Sequence, residues 1–157
     1  MKITAGYLGI QIALHWLVAI LIIVAWFTGE GGEAAMETVE DGGTAGFVPH
    51  VAIGLAILAL VAIRVLVRLG RGAPAAVGEP GSLAVMASDW GHRLIYLLML
   101  AVPLGGVATF FLGLEVGDVH ALAANVLMVA VLGHALMALY HQYVLKDGLL
   151  RRMMRAG

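Results

Sequence analysis

Three histidines stand in one almost wholly apolar stretch, "HALAANVLMVAVLGHALMALYH" at 120–141, which carries no formal charge. His120, His134 and His141 are separated by 14 and 7 residues. An α-helix advances about 100° and 1.5 Å per residue. A 14-residue step therefore returns to within about 40° of its starting face and rises about 21 Å, and a 7-residue step to within about 20° with a rise of about 10 Å. Read as a helix, the stretch lines its imidazoles along one stripe at three depths. Imidazole binds transition metals through a ring nitrogen and exchanges protons near neutral pH. Its plainer role in an apolar span is a hydrogen bond to a neighbour, but ionisable groups there are costly and tend to mark function.

The elements that must position these rings follow from hydropathy. His15, His50 and His92 complete a set of six histidines. Apolar runs cover roughly 10–27, 50–69, 90–112 and 119–145 and contain no Asp or Glu. Each is at least about 18 residues long, enough to cross about 30 Å of hydrocarbon. Lipid offers the backbone no hydrogen bonds, so each run must be a helix. The chain of 157 residues is 62% hydrophobic and 12% charged, far more apolar than a soluble domain. The expected fold is all-α, an integral membrane four-helix bundle forming one domain over 1–157. The first run is read as a retained helix and not a signal peptide. It is long, holds Gln11 and His15, and lacks a small-residue cleavage site.

Charge sets the orientation. With the N-terminus cytoplasmic, all nine basic residues fall on or near the inner side: Lys2, Arg64, Arg68, Arg71, Arg93, Lys146, Arg151, Arg152 and Arg155. The outer loops, 28–49 and 113–118, hold Glu30, Glu33, Glu37, Glu40, Asp41, Glu115 and Asp118 and no Lys or Arg. The positive-inside rule gives N-in and C-in. The Gly-rich acidic outer loop reads as mobile, and the Pro/Gly-rich inner segment 70–89 as a plain connector. Ser88 or Asp89 is expected to cap the third span and Asp118 the fourth, and Pro103 with Gly105 and Gly106 to kink the third.

Depth then pairs the histidines. His50 opens the second span at the outer boundary, level with His120. His15 lies about 18 Å below the outer end of the first span, close to the depth of His134. His92 opens the third span at the inner boundary, level with His141. The chain has no cysteine, which excludes disulfides, thiolate-held iron–sulfur clusters and covalently attached haem. Two stacked histidine pairs shared between the fourth span and its neighbours suit two non-covalent b haems, each iron taking an imidazole on both faces. Gly54, Gly133, Ala13, Ala19, Ala121, Ala124 and Ala135 leave room beside these rings, although small residues also serve ordinary helix packing. Metal transport or a proton relay would call for carboxylates, Cys or clustered Met along the path, and the spans hold no carboxylate or Cys.

His92 and His141, with Tyr140 and Trp90 near them, stand where a third haem would crowd the second. They suit a quinone site or proton exchange, or simply an interfacial position. Trp16, beside His15, packs on a haem, a quinone or the core. Arg64 and Arg68 suit haem propionates or topology anchoring. No residue is assigned a bond-making catalytic role.

The segments "IALHWLVAILI", "PHVAIGLAILALVAIRVLVRL", "GHRLIYLLMLAVPLGG" and "HALMALYHQYVLKDGLLRRMM" resemble, in order and spacing, the four helices of the bacterial cytochrome b561 family over nearly the whole chain. The resemblance implies a di-haem cytochrome b of the bacterial inner membrane, with His15 and His134 ligating an inner haem and His50 and His120 an outer one. Cytochrome b subunits of membrane formate dehydrogenases and hydrogenases are similar in the spacing of the fourth helix. Some members of the family are superoxide oxidases, which pass electrons from periplasmic superoxide to ubiquinone. The acidic outer surface departs from that role, because steering an anion calls for a positive mouth. It suits a basic protein donor, such as a c-type cytochrome, or a periplasmic partner subunit. The expectation is an electron carrier from a periplasmic donor, superoxide among them, to the quinone pool. The alternatives are a non-catalytic anchor for a dehydrogenase and a haemless transport or structural bundle. Lipid and quinone are expected partners and nucleic acid is not.

Overall fold

The structure, a computed structural model, describes residues 3–4, 6–75 and 78–157; Lys2 lies outside them. Strand β1 (Ile3–Thr4) leads into α1 (Gly9–Phe27) and α2 (Gly29–Glu40). Then come α3 (Pro49–Arg71), strand β2 (Ala73–Pro74), α4 (Leu83–Leu112) and α5 (Gly117–Tyr140). The last helix continues as a π-turn over His141–Leu145, and a 3-10 turn follows at Leu150–Met153. Helices α1, α3, α4 and α5 with its π-turn are long and apolar enough to cross a membrane. They pack α1 on α3, α3 on α4 and α4 on α5, and α5 also meets α1.

The buried core is small and aliphatic: Val18, Ile22, Ile57, Val61, Met99 and Leu127. Val18 and Val61 are sealed, at 1% and 0% exposure. Leu66, Leu69, Leu97, Val129 and Leu136 point outward, as expected where lipid and not water meets the helices. In sequence, this core sits close to the histidines: Val18 and Ile22 follow His15, Ile57 and Val61 follow His50, and Leu127 lies midway between His120 and His134.

One end of the bundle gathers both termini. Strands β1 and β2 pair in parallel there. Gln11, a buried amide, donates from Nε2 to the Gly72 carbonyl at 2.9 Å and accepts the Leu8 N–H at Oε1 at 3.0 Å. It thereby ties the start of α1 to the end of α3, where Gly72 turns with φ 84°, a conformation that favours glycine. Arg152 donates to the Ala75 carbonyl at 2.9 Å, and the Gly157 N–H to Tyr7 at 3.3 Å. Helix α2 covers the opposite, acidic end.

Several boundaries differ from expectation. The acidic loop is not irregular: residues 29–40 form α2, packed on α3. Its glycines allow a close approach, since a Cβ at Gly32 would stand 2.8 Å from His50 Cδ2. The third span begins at Leu83 and not near residue 90. Its cap is Ser82, whose hydroxyl accepts the Val85 N–H at 3.4 Å, and Ser88 and Asp89 lie inside the helix. Helix formers after Ser82 start the helix early, and the polar pair Ser88 and Asp89 only mimics a boundary. Asp118 does not cap α5 either; the cap position is Val116, and Asp118 sits in the first turn facing the positive end of the helix dipole. The connector expected over 70–89 holds β2 and is not featureless. Helix α4 continues through the buried Pro103.

Candidate functional site

The acidic end seats two histidines. His50 follows Pro49, which starts α3 with a φ already suited to a helix. Its Nδ1 lies 2.9 Å from the Ala25 carbonyl. Ala25 belongs to the last turn of α1, where carbonyls lack intrahelical partners. A carbonyl only accepts, so His50 Nδ1 carries the hydrogen and Nε2 keeps the lone pair. The Thr28 hydroxyl donates to the Val24 and Ala25 carbonyls at 3.0 and 3.1 Å and stands 3.4 Å from His50 Nδ1. On α5, His120 Nδ1 donates to the Val102 carbonyl at 2.8 Å, which likewise leaves Nε2 available. Gly106 makes room for that ring: a Cβ there would stand 3.2 Å from His120 Cε1. The His50 and His120 ring centroids are 6.0 Å apart, with planes crossed at 88°.

A second pair lies toward the termini. His15 of α1 and His134 of α5 have ring centroids 6.2 Å apart at 69°. His92 donates from Nδ1 to the Ser88 carbonyl at 2.7 Å, and its ring meets that of His134 at 5.1 Å. This corrects the expected pairing of His92 with His141. Because α4 starts at Leu83, His92 lies in its third turn and not at its mouth, and so reaches the depth of His134.

His141 donates instead to the Asp147 carboxylate, across the π-turn and a left-handed Lys146 at φ 55°. Asp147 also accepts the Leu149 N–H at 3.0 Å. The His141 hydrogen bond first, and that of Leu149 second, hold its carboxyl below the usual carboxylate range. Asp147, Gln142, Tyr143, Lys146, Gly148 and Arg151 line a cleft of about 420 Å³. Among the described residues, Gln142 Oε1 is buried there with no hydrogen-bond partner. Sequence reasoning missed Asp147; the only signal was an acid in the "KDG" turn six residues past a helix-ending histidine.

The remaining candidates are placed as follows. Arg64 Nε donates to the Tyr96 hydroxyl at 3.0 Å, and the Arg64 and Arg68 guanidinium carbons lie 5.6 and 5.7 Å from the Tyr96 ring centre. Trp16 meets His15 edge-on at 5.3 Å and donates its indole N–H to the Met153 carbonyl at 2.7 Å. Tyr140 meets His141 edge-on at 6.3 Å.

These arrangements fit haem. Metal–imidazole bonds of about 2 Å on each face, plus about 1 Å from nitrogen to ring centre, put the two rings of a shared iron about 6 Å apart. Both the His50–His120 and the His15–His134 separations match this, whereas the 5.1 Å between His92 and His134 is too short. Metal-bound histidines characteristically donate their other N–H to a carbonyl, as His50 and His120 do here. Among the described residues no group of three or more His, Cys, Asp or Glu could hold a metal ion. A histidine pair suits a metal whose other ligands come from a macrocycle. One turn from His50, a Cβ built at Gly54 meets no atom of the described residues within 4 Å beyond its chain neighbours and its own helix backbone, leaving room beside the ring.

Comparison with known proteins agrees. The family model of prokaryotic cytochrome b561 matches residues 7–156. A protein named cytochrome b562 from Cereibacter sphaeroides is 42% identical over 155 residues, spanning 96% of this chain and 96% of its own. A probable superoxide oxidase, CybB, from Yersinia pestis is 34% identical over 170 residues, covering 94% of this chain and 95% of its own. Cytochrome b561 homolog 1 from Escherichia coli is 26% identical, with 92% and 94% coverage. The matched spans, the paired imidazoles and the shared sequence agree on one assignment: the chain belongs to the prokaryotic cytochrome b561 family of membrane electron-transfer cytochromes, whose cofactor is haem b.

Proposed function

We propose that the protein holds two b haems, one between His50 and His120 and one between His15 and His134, and carries electrons from a periplasmic donor to quinone in the bacterial inner membrane. The observation that carries this reading is the pair of ring separations, 6.0 and 6.2 Å, on a common helix α5. Haem, if held by these histidine pairs, would supply one-electron transfer. The chain's own residues do the rest. The Ala25 and Val102 carbonyls fix the tautomers of His50 and His120. Val18, Val61 and Leu127 keep the space between the pairs dry. At the terminal end, His141 with Asp147 suits proton exchange for a quinone such as ubiquinone, with His92, Trp16 and Tyr140 nearby, and Arg64 and Arg68 suit propionates. The asymmetry of basic residues supports an N-in, C-in orientation, which puts this end on the cytoplasmic side.

Two donors compete. The likeness to a protein named as a probable superoxide oxidase supports superoxide. Two superoxide anions would each give up one electron, and quinone would take both with two protons, yielding two dioxygen molecules and quinol. The exposed Glu30, Glu33 and Glu37, spaced along one face of α2, favour a basic protein donor over an anion. The test is quinol formation by the purified protein in vesicles, supplied with superoxide or with a reduced basic c-type cytochrome. Turnover with superoxide alone supports the oxidase. Turnover only with the cytochrome supports the carrier reading, and turnover with neither contradicts both.

A further inference from the structure

The cleft at the end of the fourth span has a lining that the chain itself leaves unsatisfied. The span ends at Leu145, and Gln142, Lys146, Asp147 and Arg151 stand among the walls of the 420 Å³ space beside it. Among the described residues, neither Lys146 nor Arg151 has an ion-pair partner. Asp147 offers them none, because both its oxygens are taken, Oδ2 by His141 and Oδ1 by the Leu149 N–H. Gln142 Oε1 is buried and, among the described residues, accepts no hydrogen bond. A buried acceptor left unpaired is costly and calls for a donor. The backbone around the cleft is held in place. Lys146 takes a left-handed φ of 55°. Arg152 donates to the Ala75 carbonyl, and the Met153 carbonyl accepts the Trp16 indole N–H. Arg151 therefore rides on a turn pinned at the next two residues. Tyr143, Val144 and Leu145 are exposed and carry the apolar wall of the span to the rim.

The complement of this lining is a single negative charge and a hydrogen-bond donor. Lys146 and Arg151 against Asp147 leave one positive charge in excess. A neutral ligand such as a quinone would leave both cations unpaired. A phosphate diester carries one negative charge and accepts from both Lys and Arg. A hydroxyl on one of its ester arms supplies the donor that Gln142 Oε1 lacks. An ethanolamine arm would instead bring a further cation to a lining whose carboxylate is already occupied. Basic pockets at the ends of membrane spans suit anionic lipid headgroups, and the apolar wall leading to this rim suits an acyl chain. We propose that the cleft binds an anionic phospholipid with a hydroxyl-bearing headgroup, of the phosphatidylglycerol kind. Lys146 and Arg151 take the phosphate, and Gln142 Oε1 accepts the headgroup hydroxyl. Soluble glycerol phosphate offers the same phosphate-ester chemistry, and the apolar wall decides for the lipid.

The test is native mass spectrometry of the detergent-purified holoprotein, counting bound lipid as dioctanoyl phosphatidylglycerol is titrated in. Dioctanoyl phosphatidylmethanol, a diester of the same charge without the hydroxyl, is the matched probe. Phosphatidylglycerol is expected to bind about fivefold more tightly, the effect of one net hydrogen bond. This comparison needs no variant. Gln142→Leu should bring the two lipids to equal affinity and still retain both. Arg151→Gln should weaken both about tenfold or more. Arg155→Gln removes the same charge from the same tail but outside the cleft, and should change neither. Equal affinity of the unaltered protein for the two lipids would overturn recognition of the hydroxyl. Equal weakening by Arg151→Gln and Arg155→Gln would reduce the site to diffuse surface charge. Displacement of the lipid by equimolar glycerol 3-phosphate would assign the cleft to a soluble phosphate ester. Dioctanoyl phosphatidylethanolamine binding as tightly as phosphatidylglycerol would overturn the choice of headgroup.

Discussion

Gly54 separates a packing role from a cofactor role. Beyond its chain neighbours and its own helix backbone, a methyl group at this position meets no atom of the described residues within 4 Å. For the haem-free chain, Gly54→Ala is thus free of steric cost and removes backbone entropy from the unfolded state, a gain of about 0.5–1 kcal/mol in a helix interior. With haem bound the sign reverses. Gly54 lies one turn from His50, on the same face of α3, and the His50 ring cannot swing away because Ala25 holds its Nδ1. The added methyl then presses on the macrocycle. Disturbing the surroundings of a metal ligand weakens affinity about 10- to 100-fold, equivalent to about 1.4–2.7 kcal/mol. The assay is haem per chain after expression with limiting haem, alongside thermal unfolding of the haem-free protein. Gly70→Ala, on the same helix and equally free of neighbours, is the control and should retain both haems. Wild-type haem content in Gly54→Ala, together with raised thermal stability, would refute the placement of haem against this face.

Other expected outcomes follow from named contacts. His134→Ala should remove the haem at the terminal end and His120→Ala that at the acidic end, each halving the haem count; full content in either variant contradicts the pairing. Gln11→Leu leaves the Gly72 carbonyl and the Leu8 N–H without their partner and should cost about 1–3 kcal/mol, read as a lower unfolding midpoint in detergent. Asp147 has a carboxyl depressed by His141 and Leu149, so the stability it lends the C-terminal turn is full above the ordinary carboxylate pKa and is lost as pH falls through the lower folded value. Protease sensitivity near Lys146 should therefore rise only in acid, and Asp147→Asn should show it at neutral pH. His141→Ala should keep both haems and slow quinone reduction; unchanged turnover removes His141 from the mechanism.

The approach of His15 to His134 and of His50 to His120 was legible because helix geometry converts residue spacing directly into height and face. The spans were legible because lipid forces apolar runs into helices. What the sequence hid depended on contacts made elsewhere. Helix α2 is rich in glycine and reads as a loop until its seat on His50 is known, where Gly32 is the adaptation that permits it. The start of α4 is masked because Ser88 and Asp89 look like a boundary, and that shift of two turns moves His92 from His141 to His134. The bond between His141 and Asp147 crosses a π-turn and a left-handed residue, a local geometry that periodicity does not encode.

The central claim is tested most directly by a reduced-minus-oxidised optical spectrum of the detergent-purified protein, with extracted haem counted per chain. Two low-spin b haems per chain, released without covalent attachment, are expected. A chain purified without haem from cells amply supplied with it would contradict the account and leave the paired imidazoles to a structural or transport role.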